Sequence, residues 1–435
     1  MSAPINQRTI PLEIIEHIVD QFGDSLLDLK TCSLVCRDWL PRARHHLFRS
    51  ISLPVEENNL TLISTSPSPH RIVDTESILD ILHSSPHLIA HIQKLTLDFR
   101  YSLRLVCSSE PWLVELARMM NHLRRLVLFM FPIYNLSPKM QRVLPELLNG
   151  NTLLDTIVID SCVFRDAPSF WTFLRHTAQL PNLRHLVLIG VVLKNVPSAR
   201  DVNDIEQSTT NLERTTGGKL TTMAQPTKLS TLELGQMSVF PLFSAMFNRP
   251  NGLFDLTTLS RVKIRDIGAL FFYADLWPVV GSSITHLDFE VGKYVRDEYV
   301  EPQFMSFTAL THLTLSVTAC RLHLPNLLTV LSHIHLISSL QHLYIVWPQL
   351  RNTWDLFSDF QGCDALDSIL AGLPESIKGL KLIVLEMRCH CPWQAPFEDG
   401  YEREMLARTE KTGILDLKVL EISGYTMYGE PVFPK

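Results

Sequence analysis

At three places in this chain, cysteine or histidine residues, whose side chains have the strongest potential chemistry, stand close together. Cys32 and Cys36 stand four residues apart in TCSLVCRDWL, His45 and His46 are adjacent, and residues 389–391 read CHC. Such groups could hold zinc or form a redox pair, since zinc prefers thiolate and imidazole ligands. A structural zinc site needs four ligands, and no second pair stands at a matching spacing near any of them. We therefore predict no metal and interpret Cys32 and Cys36 as packing residues, because unpaired cysteine behaves as a small hydrophobe.

Other motifs that would indicate catalysis are missing from the sequence. The stretch TTGGKLTT, residues 215–222, lacks the leading glycine and the preceding strand of a phosphate-binding loop. Neither a GxSxG nor an HExxH motif occurs. The sequence therefore predicts a protein that is not an enzyme and that needs no cofactor.

Composition narrows the class of partner. The 435 residues include 8 cysteines and carry a net charge of −6. So few cysteines do not form a disulfide framework, which favours a reducing compartment, cytoplasmic or nuclear. Nucleic-acid binding needs clustered basic residues, whereas the Lys and Arg of this chain are spread along it. No apolar run approaches the roughly 20 residues that span a bilayer. We expect no nucleic-acid partner and no membrane.

A six-residue pattern recurs along the chain, with aliphatic residues at its first, fourth and sixth positions. The copies begin at Ile92, Leu123, Leu154, Leu183, Leu229, Leu259, Ile284, Leu310, Leu340, Ile377 and Leu417. The last three positions alternate apolar, variable and apolar, which predicts a half-buried strand. Helical patterns at residues 110–120, 168–180 and 324–334 separate some of the strands. Alternating strands and helices predict right-handed parallel crossovers in an α/β solenoid, whose units bury their apolar faces by stacking.

The hexads resemble degenerate leucine-rich repeats. The Asn or Cys that such repeats carry three residues after the last aliphatic is present as Cys162 in LDTIVIDSC, and most other copies lack it. The resemblance implies an irregular horseshoe with a parallel sheet on its concave side. A polar insertion at about residues 195–228 interrupts the repeats; it is either a partner-binding or modified segment, or simply a tolerated loop.

Strand residues that alternate with the buried aliphatics would line the concave face and contact a protein target. The candidates for target binding are Val127, Phe129, Val187, Ile189, Lys263, Arg265, Asp288, Glu290 and Tyr344. The basic pair on one strand and the acidic pair on the next could serve a partner, or could neutralise each other across the ladder.

The first 50 residues form a different module, ahead of the solenoid expected over 51–435. Apolar residues at helical spacing, a Pro at a helix start and a Gly-Asp-Ser break at 23–25 predict short helices rich in aliphatic side chains. The segments PLEIIEHIV, CSLVCRDW and LPRARHHLFRSISL together resemble the F-box. By that resemblance the module is three helices that bind the adaptor of a cullin-RING ubiquitin ligase. The positions it implies for adaptor contact are Pro11, Leu12, Ile15, Ile18, Leu29, Val35 and Trp39.

The sequence as a whole is similar to an F-box protein of the fungal type with degenerate leucine-rich repeats. The resemblance implies a substrate receptor of an SCF-type ligase, with the adaptor, and through it a cullin, as partners of the helices. An unknown protein target would bind the solenoid. The alternative is an interaction scaffold whose F-box does not deliver substrates for ubiquitination.

Overall fold

The computed structural model describes most of the repeat region and nearly all of the N-terminal module. The described residues are 10–23, 25–54, 75–99, 106–131, 133, 138–195, 226–235, 253–265, 277–291, 297–317, 324–350, 360–389 and 406–421. The predicted insertion at 195–228 lies outside these ranges except at its two ends. The chain divides into two compact units, which we call unit 1 (residues up to Arg165, with Gln179–Asn182) and unit 2 (Asp166–Ala178 and the residues from Leu183).

Three short helices open unit 1, and we call them the head: α1 (Leu12–Gln21), α2 (Leu26–Val35) and α3 (Leu40–Phe48). Helix α1 follows Pro11, and α2 is capped by the hydroxyl of Ser25, which accepts from the backbone N–H of Asp28 at 3.4 Å. Proline and serine at these positions favour helix initiation. The helices that the sequence predicts here are therefore present.

The rest of unit 1 alternates strands and helices. Its elements are β1 (Ser50–Pro54), α4 (Thr75–Ser84), a 3-10 helix (Pro86–His91), β2 (Lys94–Asp98), α5 (Val106–Met119), β3 (Arg125–Phe129), α6 (Pro138–Gly150), β4 (Thr156–Asp160) and the short β5 (Val163–Phe164). Strands β1 to β4 pair in chain order, and each ladder is parallel. The head joins this ladder directly, because the carbonyl of Arg49 accepts from the backbone N–H groups of Gln93 and Lys94 at 3.0 and 2.9 Å.

Unit 2 continues the alternation. Its helices are α7 (Ala167–Thr177), α8 (Trp277–Val280), α9 (Asp297–Met305), α10 (Leu324–His333), α11 (Phe360–Ser376) and α12 (Ala407–Glu410), with a 3-10 turn at Ile334–Leu336. Its strands are β6 (His185–Ile189), β7 (Val192–Leu193), β8 (Thr227–Lys228), β9 (Thr231–Gly235), β10 (Phe254–Asp255), β11 (Arg261–Ile264), β12 (His286–Val291), β13 (His312–Val317), β14 (His342–Leu350), β15 (Leu382–Cys389) and β16 (Leu415–Glu421). A parallel ladder runs β6-β9-β11-β12-β13-β14-β15-β16, which confirms the predicted α/β class and strand direction. The predicted handedness and the division at residue 50 stay predictions.

The hexads set this register. In the first nine copies the three aliphatic positions are all 2% exposed or less, and equivalent positions of neighbouring strands lie opposite each other, as Leu287, Leu313 and Leu343 do. Each strand therefore contributes the same rung to the apolar layer of its own unit. Strand β1 adds a rung ahead of these copies, because Ile51 and Leu53 lie opposite Leu95 and Leu97.

The last two predicted hexads are out of phase with the observed ladder. Ile383 and Leu385, rather than Leu380 and Leu382, lie opposite Leu343 and Ile345. On β16 the equivalent rung is Leu415 and Leu417. Both segments contain overlapping apolar triplets, so the alternation alone permits two phases and the neighbouring strand selects one.

Residues just after three strands complete the repeat with apolar packing. Phe131, Cys162 and Val191 stand three residues beyond the last aliphatic of their hexads, and all three are 0% exposed. The thiol of Cys162 donates to the carbonyl of Leu128 at 3.3 Å, and burial raises its pKa to about 12. Cys162 therefore occupies the place where leucine-rich repeats carry Asn or Cys, and Phe131 and Val191 fill the same place with apolar side chains. No helix in the described ranges combines the length and apolarity needed to cross a bilayer.

Candidate partner-binding surfaces

The three head helices share a small core. Ile15 and Val19 of α1, Leu29 and Cys32 of α2 and Ala43 of α3 are each 6% exposed or less, and Trp39 and Leu47 pack against them. Their spacing gives α1 and α2 one buried side each, and both helices pack against α3. This core fixes which sides of the helices remain outside.

Helix α2 is apolar on both of its sides. Leu29 and Cys32 face the core, whereas Leu27, Leu34 and Val35 are 74%, 85% and 56% exposed. At 100° per residue, Leu27 and Leu34 project opposite the core-facing pair. A surface helix normally carries polar residues on its outer side. The outer side of α2 thus exposes two leucines, with Lys30 and Thr31 beside them, and no described residue covers them.

Helix α1 and its approach extend the apolar character of the head. Ile10, Leu12 and Ile14 are 56%, 53% and 51% exposed, and Phe22 beyond the helix is 36% exposed. Exposed apolar groups of this size, when clustered in one small module, are typical of protein-interaction sites. We call the exposed apolar residues of α1 and α2 the head surface; they are Ile10, Leu12, Ile14, Leu27, Leu34 and Val35.

The residues predicted for adaptor contact divide into exposed and buried groups. Pro11, Leu12 and Val35 are exposed, and Ile18 and Trp39 are half-buried. Ile15 and Leu29 belong instead to the head core, at 6% and 2% exposure. Ile15 and Leu29 therefore hold the helices in place and present no surface to a partner, because the helical period turns them inward.

The paired cysteines occupy different environments. Cys32 lies in the head core, where burial raises the pKa of its thiol, while Cys36 follows the end of α2 and is exposed. Within the described ranges no group of three or more His, Cys, Asp or Glu side chains could hold a metal. Cys32 thus packs as an apolar residue, as the sequence indicates. The side chains of residues 389–391 lie outside the described part of the chain.

Asp20 at the end of α1 ties that helix to α3. Its carboxylate accepts from Nε and Nη2 of Arg42 at 2.6 and 2.7 Å, and Nε2 of His46 lies 2.7 Å from Oδ1. The hydrogen bond from Arg42 is the main reason that the pKa of Asp20 lies well below its ordinary value. Charge-assisted two-point bonds of this kind fix orientation as well as energy. They hold the head in the geometry that exposes α2.

The second candidate surface is the side of the strands that alternates with the buried aliphatics; we call it the variable face. In unit 1, Val127 and Phe129 are half-buried and lie opposite Thr96 and Asp98. In unit 2, Val187 and Ile189 are half-buried, and Val187 lies opposite Glu233. The predicted apolar positions therefore occupy this face in each unit.

Charged residues of the variable face in unit 2 pair with one another. Lys263 Nζ lies 3.3 Å from Oδ2 of Asp288, and Arg265 Nε donates to Oε1 of Glu233 at 2.7 Å. The sequence left two interpretations of these charged residues, binding of a partner or mutual neutralisation across neighbouring strands. Lys263 and Asp288 fit the second. Arg265 instead uses the preceding strand. Pairs this exposed contribute little stability, so they mainly cancel charge at the centre of the face.

Tyr344 lies on the variable face of β14, half-buried, opposite Thr314 of β13 and the buried Val384 of β15. Glu290 lies opposite Ser316 on the neighbouring strand. Both positions agree with the alternation from which they were predicted. Binding of a target at these positions stays a prediction.

A row of histidines stands where three unit 2 strands begin, at a hexad position that the sequence indicates as tolerant of polar residues and structural in role. His286, His312 and His342 lie opposite one another on β12, β13 and β14, with Arg261 opposite His286 on β11. All three occupy the third position of the hexad, so the sequence shows them as a recurring histidine. Whether the three side chains contact one another depends on the register of the strands, which the sequence alone does not give.

Comparison with protein-family models and with curated proteins gives no match. Among solved structures, the chain is similar to one from a crystal structure of the Rad7 and Elc1 complex in yeast, with 14% sequence identity and a TM-score of 0.34. The alignment covers 92% of this chain and 97% of that one. A TM-score at this level assigns neither a fold family nor a function.

Proposed function

We propose that this chain is a substrate-recognition subunit of an SCF-type cullin-RING ubiquitin ligase. The head surface binds the adaptor, and the variable face binds a protein target. Ubiquitin transfer is then a matter of proximity supplied by the assembly, so the chain itself needs no active site. The F-box resemblance of the first 50 residues provides the identity of the partner.

The observation that carries this proposal is the outer side of α2. Leu27, Leu34 and Val35 expose large aliphatic side chains on a helix whose opposite side already forms the head core. Covering each of them fully would contribute about 1.5–3 kcal/mol to binding, before the costs of association. A module that needed only to fold would gain nothing from aliphatic residues there.

The proposal is tested by co-purifying adaptor and cullin with the full chain and with Leu34→Asp. The substitution places a carboxylate in the proposed contact but leaves the head core intact, so adaptor capture should fall at least about tenfold, a loss of about 1.4 kcal/mol or more. Leu153→Asp is the matched control, since Leu153 is an exposed leucine of unit 1 outside the head, at 45% exposure. Equal capture by the Leu34→Asp variant and the wild type would exclude the head surface as the adaptor site.

The receptor role is separated from the scaffold role by the lifetime of the captured target. A receptor shortens that lifetime, and Leu34→Asp restores it, whereas a scaffold leaves it unchanged in both chains. Phe129→Ala and Arg265→Glu on the variable face should weaken capture of the target and leave adaptor capture intact. Unchanged target capture by both variants would remove the variable face from the proposal.

A further inference from the structure

The histidine row of unit 2 brings aromatic rings into contact on the variable face. The rings of His286 and His312 stack with centroids 4.2 Å apart and planes at 10°, and those of His312 and His342 meet at 4.4 Å and 64°. Parallel pairing of β12, β13 and β14 brings the rings within contact distance, because in-register strands lie about 4.8 Å apart. The three imidazoles therefore form one surface instead of three separate side chains.

Each stacked ring is held by the residue before it. The hydroxyls of Thr285 and Thr311 lie 2.9 Å from Nδ1 of His286 and His312. Among the described residues, no group bonds to Nε2 of either ring. The anchored nitrogen fixes the ring orientation, so the second nitrogen of each ring remains available to a ligand.

The charges around the row favour an anion. Exposed Arg261 lies opposite His286, and in the described part of the chain no carboxylate forms an ion pair with Arg261, His286, His312 or His342. The nearest acid along the strand on the same face is Asp288, which pairs with Lys263 at 3.3 Å. Asp288 is therefore already paired with a cation, whereas no carboxylate of the described residues pairs with the histidine row.

Proton binding by the row is coupled to any anion placed on it. Partial burial is the main cause that lowers the pKa of His286 and His312, and the charges of Arg261 and His342 lower the pKa of both further. The lowered pKa favours the neutral form of His286 and His312. An added carboxylate would counter the mutual repulsion of the rings and favour their protonation.

We propose that Arg261, His286 and His312 form a binding strip for an acidic peptide segment, which binds more tightly as the pH falls. Arg261 supplies a fixed charge for one carboxylate, and each imidazole supplies an Nε2–H donor to the next ones once it is protonated, because its Nδ1 is bonded to a Thr hydroxyl that itself donates to a backbone carbonyl. The inference rests on the proposed function in assigning the segment to a target protein. It narrows the target class to proteins that present a run of Asp or Glu.

The test measures fluorescence anisotropy of a labelled peptide of ten glutamates with the full chain at pH 7.5 and 6.0. Each proton taken up on binding changes the affinity by up to about tenfold per pH unit, so Kd should be about fivefold or more lower at pH 6.0. The double variant His286→Gln/His312→Gln should lose this dependence, and Arg261→Gln should weaken binding at both values. The control His335→Gln, an exposed histidine of the 3-10 turn outside the sheet, should behave as wild type.

Several results would overturn the strip. They are no binding of the glutamate peptide, equal Kd at the two pH values, equal binding of a ten-lysine peptide, or a pH dependence that persists in the double variant. Adaptor capture, measured on the same proteins, separates this inference from the proposed function. If the wild-type chain captures no adaptor, the receptor role alone is overturned. If the peptide binds equally at both pH values, the strip alone is overturned.

Discussion

Asp20 and Arg42 form a two-point ion pair between the first and third helices of the head, with N–O distances of 2.6 and 2.7 Å. The residues are 22 positions apart in the chain. The pair therefore ties α1 to α3 outside the small apolar core of the three-helix module.

Asp20→Asn should loosen the head. The substitution removes the negative charge of the pair. Because Asp20 and Arg42 are each about one-third exposed, solvent screening limits the lost free energy of folding to about 1 kcal/mol. Hydrogen-exchange protection of the peptides covering α1 and α3, in the full chain, reports this change. Asp38→Asn, at an exposed carboxylate of the turn before α3, is the control and should leave protection unchanged.

The same pair gives the head a pH dependence. The pKa of Asp20 is lowered by Arg42, so its stabilisation is complete above the ordinary carboxyl value of about 3.9 and is lost as the pH falls through the lower folded value. Protection of the wild-type head, corrected for intrinsic exchange, should decline as the pH falls below about 4. A decline of the same size in Asp20→Asn would show that the pair is not its source.

Asn151→Ala should destabilise unit 1 strongly. Asn151 is fully buried; its Oδ1 accepts from the N–H of Leu123 at 2.9 Å, and its Nδ2 donates to the carbonyls of Met120 and Leu147 at 2.8 and 2.7 Å. Removing the amide leaves buried backbone groups unpaired, at a cost of about 2–4 kcal/mol. Urea denaturation measures the free energy of unfolding. The control Asn182→Ala removes one exposed bond to Thr152 and should cost about 1 kcal/mol or less.

Gly281→Ala and Gly372→Ala should change the stability of unit 2 in opposite directions. A Cβ on Gly281 would lie 2.4 Å from the carbonyl oxygen of Ser306 and 2.7 Å from that of Trp277, so the backbone must shift, at about 1–3 kcal/mol. A Cβ on Gly372 in α11 meets no atom within 4 Å and should add about 0.5–1 kcal/mol through helix propensity. Thermal denaturation of the two variants compares them directly. A Gly281→Ala protein as stable as wild type would contradict the close packing of α8 against the end of α9.

The register of most strands follows from the hexad, because burying its aliphatic residues on one side of the strand leaves one register for each copy. The prediction fails where apolar residues are too frequent, as in LKLIVLEM at 380–387, because two phases bury equally apolar triplets. Only the neighbouring strand decides between them. Sequence patterns without a partner strand cannot supply that information.

The head surface was predicted less well than the head itself. Ile15 and Leu29 fit the F-box pattern, but the helical period turns them into the core, while Leu27 and Leu34 point outward. The seven-residue spacing of Leu27 and Leu34 was a usable signal, since it places them on one side of a helix. What the sequence could not show is which side of α2 the other two helices cover, because its apolar residues are spread around the helix.

Because Cys32 is buried and Cys36 is exposed, chemical modification of Cys36 can report binding of a partner to the head. Iodoacetamide should modify Cys36 readily, and Cys32 slowly, because one thiol is exposed beside the end of α2 and the other is enclosed. Peptide mapping by mass spectrometry would follow the Cys36 signal with the natural sequence unchanged. An adaptor seated on Leu34 and Val35 should shield Cys36 from the reagent, so a footprint at this one sulfur atom would locate the docked partner.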